Sequence, residues 1–308
     1  MKVYIPYHAG GAGKWIYEGY FAAWKHKGYD AEYVDFSKGL PSPPNEYEVM
    51  LVEGALHHIK LPDLCDFIDK ASRVYLFVQP HSFPTPWGKH PNFISTASDE
   101  FVRQMNKRDN VYLWAFTNAS STDYYAKWKN VNYVPLAFDH LTYLPLKDPQ
   151  YNYDICYIGG WANNGFDEKR VIMQQYLGPL SHDKNIKSAI VINQNCSLEA
   201  EMKLLYNSTL CLNIHDRYQQ LLGLDSNERT FKSLGLNGFL ISDKVAEVAR
   251  LFPQVPQADT PEGFRNLVLE FLGEGNAKDL EDIKQTNRES ILKDHTYICR
   301  VDQLQGLV

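Results

Sequence analysis

The chain has 308 residues, room for two domains at roughly 100–200 residues each. Apolar residues make up 44% and charged residues 22%, which excludes wholesale disorder and fibrous repeats. With 31 Lys and Arg against 37 Asp and Glu the formal charge is −6, so no global positive field draws in nucleic acid or anionic lipid.

The opening reads strand, glycine-rich turn, helix: Val3–Ile5, then Gly10-Gly11, then a helical stretch from Trp15 to Lys27 that stops at Gly28. Extended runs follow at Glu32–Phe36 and Met50–Val52, then a helix opened by Pro62, a strand at Val74–Val78, a helix at Asp99–Lys107, and strands at Val111–Trp114 and Val131–Val134. Strands separated by helices predict a parallel α/β sheet, here over residues 1–140. Pro135, Pro145 and Pro149 sit in a stretch of little periodicity, so Pro135–Tyr153 is the expected linker. The alternation restarts at Tyr153–Ile158 and Gly159-Gly160, and continues through a helix at Asp167–Leu177, a strand at Ser188–Ile192, a helix at Leu198–Tyr206 and a strand at Leu210–Ile214. A helix at Asn227–Leu236, a strand at Phe239–Ser242, a short helix at Val245–Phe252 and helices over Thr260–Gln305 complete the second half, 150–290. Two such halves place a cleft between them, faced by strand carboxyl ends and helix N-termini.

Cys65, Cys156, Cys196, Cys211 and Cys299 form no CxxC pair and no zinc spacing, which points to a reducing compartment. The first residues lack the ~7–15-residue apolar run of a signal peptide. No run of ~18 apolar residues predicts a membrane span. The expected location is the cytosol.

His8-Ala9-Gly10-Gly11-Ala12-Gly13-Lys14-Trp15 is not a P-loop, which requires glycine where His8 stands and Ser or Thr where Trp15 stands. Its glycines still let a backbone approach a ligand at a helix start, so His8, Gly10 and Gly11 are acceptor-side candidates. An Asp-x-Asp motif of the metal-diphosphate kind is absent, so the expected chemistry is metal-independent, and no GxSxG elbow supports a catalytic serine. Glu53 and His81 follow predicted strands and are the candidate bases for deprotonating an acceptor hydroxyl. Trp87 lies in Pro80–Pro91, a segment with four prolines that reads as an ordered loop facing the acceptor.

The richest segment runs Leu204-Leu205-Tyr206-Asn207-Ser208-Thr209-Leu210-Cys211-Leu212-Asn213-Ile214-His215, followed by Asn227-Glu228-Arg229-Thr230-Phe231-Lys232-Ser233-Leu234-Gly235-Leu236-Asn237-Gly238-Phe239-Leu240-Ile241-Ser242-Asp243. It resembles the spore-maturation CgeB-like glycosyltransferases, whose patterns read approximately LYNxSKIxLNIH and NxRxFEALACGGFLLTD. Tyr153-Asp154-Ile155-Cys156-Tyr157-Ile158-Gly159-Gly160 resembles that family's YDVSFIGN strand, and Asp294–Arg300 resembles its HTYxxR helix. The likeness spans Tyr153 to the end, about half the chain.

The resemblance implies an α/β fold of the GT-B type, two Rossmann-like domains facing across a cleft, with residues 291–308 crossing back to the first. It implies a sugar moved from a nucleotide-sugar, UDP-linked and a co-substrate rather than a resident cofactor, by a hexosyl- or pentosyltransferase. The acceptor hydroxyl would belong to a small glycan, a protein or a modified DNA base. Expelling a diphosphate requires fixed cations, and Arg229 and Lys232 lie three apart on one helix face, joined by Arg217 and Arg170. The full donor-side set is Gly159, Gly160, Trp161, Arg170, His215, Arg217, Asn227, Glu228, Arg229 and Lys232. Lys232 departs from the family's glutamate, the ribose-binding acid. An ammonium cannot accept a hydrogen bond from ribose but pairs with phosphate, so either the nucleotide is bound in another way or Glu228 supplies the lost acceptor. The rival expectation is a GT-B-shaped nucleotide- or glycan-binding module without catalysis.

Overall fold

A computed structural model describes residues 1–84, 93–118, 123–161, 168–273 and 277–307. The chain divides into two compact units, Met1–Pro135 together with Tyr297–Val308, and Leu136–Thr296.

In the first unit, strands β1 (Lys2–Pro6), β2 (Asp30–Val34), β3 (Tyr47–Val52), β4 (Arg73–Phe77), β5 (Val111–Ala115) and β6 (Asn132–Tyr133) form one parallel sheet in the order β2-β1-β3-β4-β5-β6. The inner strands are covered on both faces, which is why they read as near-continuous apolar runs rather than alternating ones. Helices α1 (Gly11–His26), α2 (Leu61–Lys70) and α3 (Asp99–Asn106) provide crossovers. Pro62 in the first turn of α2 and the Ser98 side chain capping α3 fix two of the helix starts.

In the second unit, β7 (Ile155–Gly159), β8 (Ser188–Ile192), β9 (Leu210–Asn213), β10 (Leu240–Asp243) and β11 (Gln257–Ala258) form a parallel sheet in the order β11-β10-β9-β7-β8. Around it lie α4 (Glu168–Ser181), α5 (Leu198–Asn207), α6 (Arg217–Leu222), α7 (Glu228–Leu236), α8 (Ala246–Leu251), α9 (Pro261–Leu272) and α10 (Ala277–Asp294). Two elements lie outside the sequence expectation. The strand β11 has two residues, and α6 has six, both too short to show a period. Gly238 closes the turn between α7 and β10 at φ +83, and a Cβ there would lie 2.1 Å from the Lys284 carbonyl oxygen of α10. A side chain is excluded by both the backbone angle and the space.

The stretch read as a linker is not a free connector. Phe138 and Tyr143 are 2% and 3% exposed, and Phe138 N–H donates to His295 O at 2.8 Å within the second unit. The helix expected over 291–308 starts at Tyr297: α11 (Tyr297–Gln305) belongs to the first unit and packs on α1. Gly19 of α1 has no room for a side chain, since a Cβ would meet the Tyr297 ring at 2.2 Å. Arg300, almost fully buried, donates from Nε to Pro135 O at 2.9 Å.

Each sheet has one point where the strand order reverses, between β1 and β3 in the first unit and between β7 and β9 in the second. In open α/β sheets, ligands bind outside the strand carboxyl ends at that point.

Candidate functional site

In the second unit one side chain spans the reversal. Arg229, in the first turn of α7, donates from Nε to Ile158 O on β7 and from Nη1 to Asn213 Oδ1 at the end of β9, the latter at 2.8 Å. Its guanidinium lies 4.6 Å from the Tyr157 ring centroid and fills the place of a side chain at Gly159, where a Cβ would stand 1.9 Å from Nη2. Arg229 is 8% exposed, and no carboxylate lies within ion-pair distance of it among the described residues. A buried charge bound only to carbonyls and an aromatic face is under-compensated, so the place is set up to gain from an anion.

Lys169 joins it from the start of α4. The residue is 6% exposed, its Nζ is 3.4 Å from Asp216 Oδ2, and burial lowers its pKa, with Asp216 opposing and Arg229 adding to the shift. Glu228 is the acidic member: burial alone would raise its pKa, but Lys232, Arg229, its own backbone N–H and Lys169 hold it below the ordinary carboxylate range. Asn227 caps α7, accepting from Thr230 N–H, while its amide exchanges hydrogen bonds with Asn213 at 3.0 and 3.1 Å. Asn227 therefore fixes the base under Arg229 rather than presenting itself to a ligand. On the other side of the β7 turn, Gly160 packs on Asn193, whose Oδ1 accepts from Trp161 N–H at 3.1 Å.

The structure separates the remaining donor-side candidates. His215 is fully enclosed: its ring is 2.7 Å from Asp243 through Nδ1 and 3.1 Å from Ser226 Oγ through Nε2, and its backbone N–H donates to Asp243 at 2.9 Å. Both ring nitrogens are taken, so it braces the ends of β9 and β10 and is not a ligand-binding group. Burial pushes the Asp243 pKa up, but His215 and the Gln220 amide outweigh that and bring it below the ordinary value. Lys232 is held in an ion pair, Nζ 3.1 Å from Glu201 Oε1 and 5.0 Å from the Tyr143 ring centroid, with Tyr143 Oη donating to the same carboxylate at 3.0 Å. Its charge is already met inside the unit, which corrects the expectation that it pairs with phosphate. Arg170 is exposed and lies over the Trp161 ring at 5.7 Å. Arg217, also exposed, donates to Gln220 Oε1 at 3.1 Å.

Lys169 went unnoticed in favour of its neighbour Arg170. A signal for it existed: the buried positions of α4 run Lys169, Ile172, Met173, Tyr176, Leu177 and Leu180, a helical stripe in which Lys169 stands in register and Arg170 does not.

In the first unit His8, Gly10 and Gly11 stand at the end of β1, beside the reversal. The His8 ring stacks on Tyr17 at 5.0 Å, and burial lowers its pKa against a weaker effect of Asp35. Gly10 and Gly11 face open space. Glu53, expected as a base, is 1% exposed and accepts from Gln79 N–H at 3.2 Å, Ser95 Oγ at 2.8 Å and Ala97 N–H at 3.2 Å. It ties the ends of β3 and β4 to the segment 95–97 and has no oxygen free to take a proton from an acceptor. His81 stacks on Trp128 at 5.4 Å, and its Nε2 is buried with no hydrogen-bond partner among the described residues. Burial, with help from Lys127, lowers its pKa, so the ring is neutral at pH 7. Trp87 lies outside the described residues. Among the described residues no three His, Cys, Asp or Glu side chains are grouped to hold a metal ion, and no helix is long and apolar enough to cross a membrane.

Two Rossmann-like parallel sheets in one chain, each with its reversal beside the first strand, define the fold of the GT-B glycosyltransferases. A family model described as glycosyl transferase-like matches residues 174–306, somewhat less than half of the chain. No curated protein sequence matches it. Among solved structures, an alpha-glucosyltransferase in complex with UDP-glucose and DNA containing an abasic site superimposes with a TM-score of 0.60 at 11% identity, covering 99% of this chain and 98% of that one. The phage T4 BGT in complex with its UDP-glucose substrate gives 0.54 at 10% identity, covering 100% and 98%. An alpha,alpha-trehalose-phosphate synthase (UDP-forming) from Burkholderia vietnamiensis gives 0.54 at 11% identity, covering 86% and 74%.

Proposed function

We propose that the chain is a glycosyltransferase that moves a sugar from a nucleotide-sugar donor to an acceptor hydroxyl, with the second unit holding the donor and the first the acceptor. The observation that carries this is Arg229: a buried, carboxylate-free guanidinium at the strand-order reversal, against a glycine that admits close approach. As the bond from the anomeric carbon to the diphosphate oxygen breaks, the leaving group gathers negative charge, and Arg229 with Lys169 offers that charge fixed partners in a low-dielectric place. Gly159 lets the Arg229 guanidinium lie against the end of β7, where a side chain would displace it.

The donor is UDP-linked in this reading, as in the neighbouring structures solved with UDP-glucose, and the protein's own cations serve the diphosphate. Within the glycosyltransferases the reading stays with the CgeB-like group, on the strength of the segments around His215, Arg229 and His295. The acceptor is a small glycan, a protein or a modified DNA base, and the five cysteines, none of them in a disulfide among the described residues, fit work in the cytosol. His81 is the residue to which we assign acceptor deprotonation, because it carries a neutral ring with an unpartnered nitrogen. One observation favours a second reading, a nucleotide-binding module without turnover: Lys232 stands where the family has its ribose-binding acid and is locked to Glu201.

Incubation with a panel of nucleotide sugars, UDP-glucose among them, separates the two. Release of nucleoside diphosphate from at least one donor, lost in Arg229→Lys, is expected. Thermal stabilisation by a nucleotide without release selects the binding module, and neither effect with any donor overturns both.

A further inference from the structure

The second unit carries an opening that the sugar-transfer reading does not use. A pocket of about 420 Å³ lies beside the carboxyl ends of β10 and β11, within the ~300–1,000 Å³ typical of small-molecule sites. Tyr176 of α4, Arg217 and Gln220 of α6, Lys244, Gln257 and Asp259 form its polar wall. Val245 and the two alanines of α8 form an apolar side.

The polar groups differ in how far they are committed. Gln220 is held, giving its amide N–H to Asp243 at 2.7 Å and its oxygen to Arg217 at 3.1 Å. Gln257 uses its oxygen on Val245 N–H at 2.9 Å, which leaves its NH₂ as a donor. Arg217 has no carboxylate in ion-pair range among the described residues. Lys244 and Asp259 meet only at 3.7 Å with 68% and 72% of their side chains exposed, a pairing that contributes little and yields readily to a ligand. The Tyr176 hydroxyl makes no hydrogen bond among the described residues.

Two cations against one carboxylate call for one anionic group. A separate donor, an acceptor and a hydroxyl beside an apolar patch suit the alternating hydroxyls and C–H face of a sugar ring. We propose that this pocket binds a hexose phosphate, its phosphate on the Arg217 guanidinium and its ring hydroxyls on Asp259 and Gln257. The same chemistry occurs in the sugar diphosphate portion of a nucleotide-sugar, so the test distinguishes a free sugar phosphate from the donor.

The experiment is calorimetric titration of the full chain with glucose 6-phosphate, glucose 1-phosphate, glucose and inorganic phosphate, repeated with saturating UDP and with Arg217→Ala and Asp259→Asn. Expected is saturable binding of at least one hexose phosphate, unaffected by UDP. Arg217→Ala weakens it at least about tenfold, the worth of one charge-assisted hydrogen bond. Both substituted side chains are exposed, so unchanged melting temperatures verify folding. Failure of both hexose phosphates to bind, equal affinity in Arg217→Ala, or competition by UDP overturns the proposal. Nucleoside diphosphate release from the donor panel is a separate readout, so this pocket and the sugar-transfer reading fail independently.

Discussion

Replacing Gly159 by alanine tests whether the site rests on the close packing of Arg229 against β7. A methyl carbon there would stand 1.9 Å from Nη2 and 2.6 Å from Cζ of Arg229, and 3.0 Å from Tyr157 Oη. The far end of an arginine ordinarily swings aside, but this one is held by Ile158 O, Asn213 Oδ1 and the Tyr157 ring. Relief therefore breaks at least one charged hydrogen bond, about 1.5–3 kcal/mol, in line with the ~1–3 kcal/mol of an overpacked core. At about 2–4 °C per kcal/mol for units of this size, the melting temperature falls by roughly 3–12 °C. A guanidinium pushed off the anion place also forfeits about 10–100-fold in donor affinity. Calorimetric titration with a nucleotide sugar and a thermal melt measure the two effects. Gly178→Ala is the control: it lies inside α4 with no heavy atom within 4 Å of the added Cβ, so the substitution leaves Arg229 in place and the affinity unchanged. A Gly159→Ala protein that binds donor as tightly as the wild type would refute the assignment of Arg229 as the anion-binding group.

Lys232→Met strands the Glu201 carboxylate and costs about 3–5 kcal/mol by denaturant unfolding, most of it regained when Glu201→Met is added; equal stability of single and double variants would remove the ion pair from the account. Asp243 has a folded pKa below its ordinary 3.8, so its contribution is present above that value and fades as pH falls through the folded one. Asp243→Asn accordingly destabilises the second unit at pH 7, and its deficit against the wild type narrows in melts below pH 3.8; a deficit that stays constant contradicts an ionised Asp243 carboxylate beside His215. His81→Gln lowers turnover by about 10²–10⁴-fold if the ring is the base, and the wild-type rate falls only on acidification below 6.5, the ordinary value from which burial lowers it; a Gln variant with an unchanged pH profile assigns the proton elsewhere.

Alternating runs and glycine stops made both parallel sheets legible, because buried parallel strands must be apolar throughout and their crossovers must be helical. The candidate site was legible at Arg229 and Gly159, where a basic residue in the first turn of a helix and a glycine at a strand end carry their meaning locally. It was not legible at Lys232. Being three residues from Arg229 puts both on one helix face, yet α5 brings Glu201 to the second and not to the first. Glu53 and His215 failed for a similar reason: a polar residue at a strand end reads alike whether it meets a ligand or is consumed by backbone N–H groups and neighbouring side chains, and that depends on segments 28 to 44 residues away in sequence.

The course of the chain, out of the first unit after Pro135 and back at Tyr297, sets an order of assembly on the ribosome. The nascent first sheet emerges early, but the flank of α1 at Gly19 and Tyr20 stays uncovered until Tyr297 and Arg300 have been synthesised behind the whole of the second unit. Maturation of the first half is thereby tied to completion of the second, and a ribosome stalled before Tyr297 leaves an apolar helix flank open to chaperones.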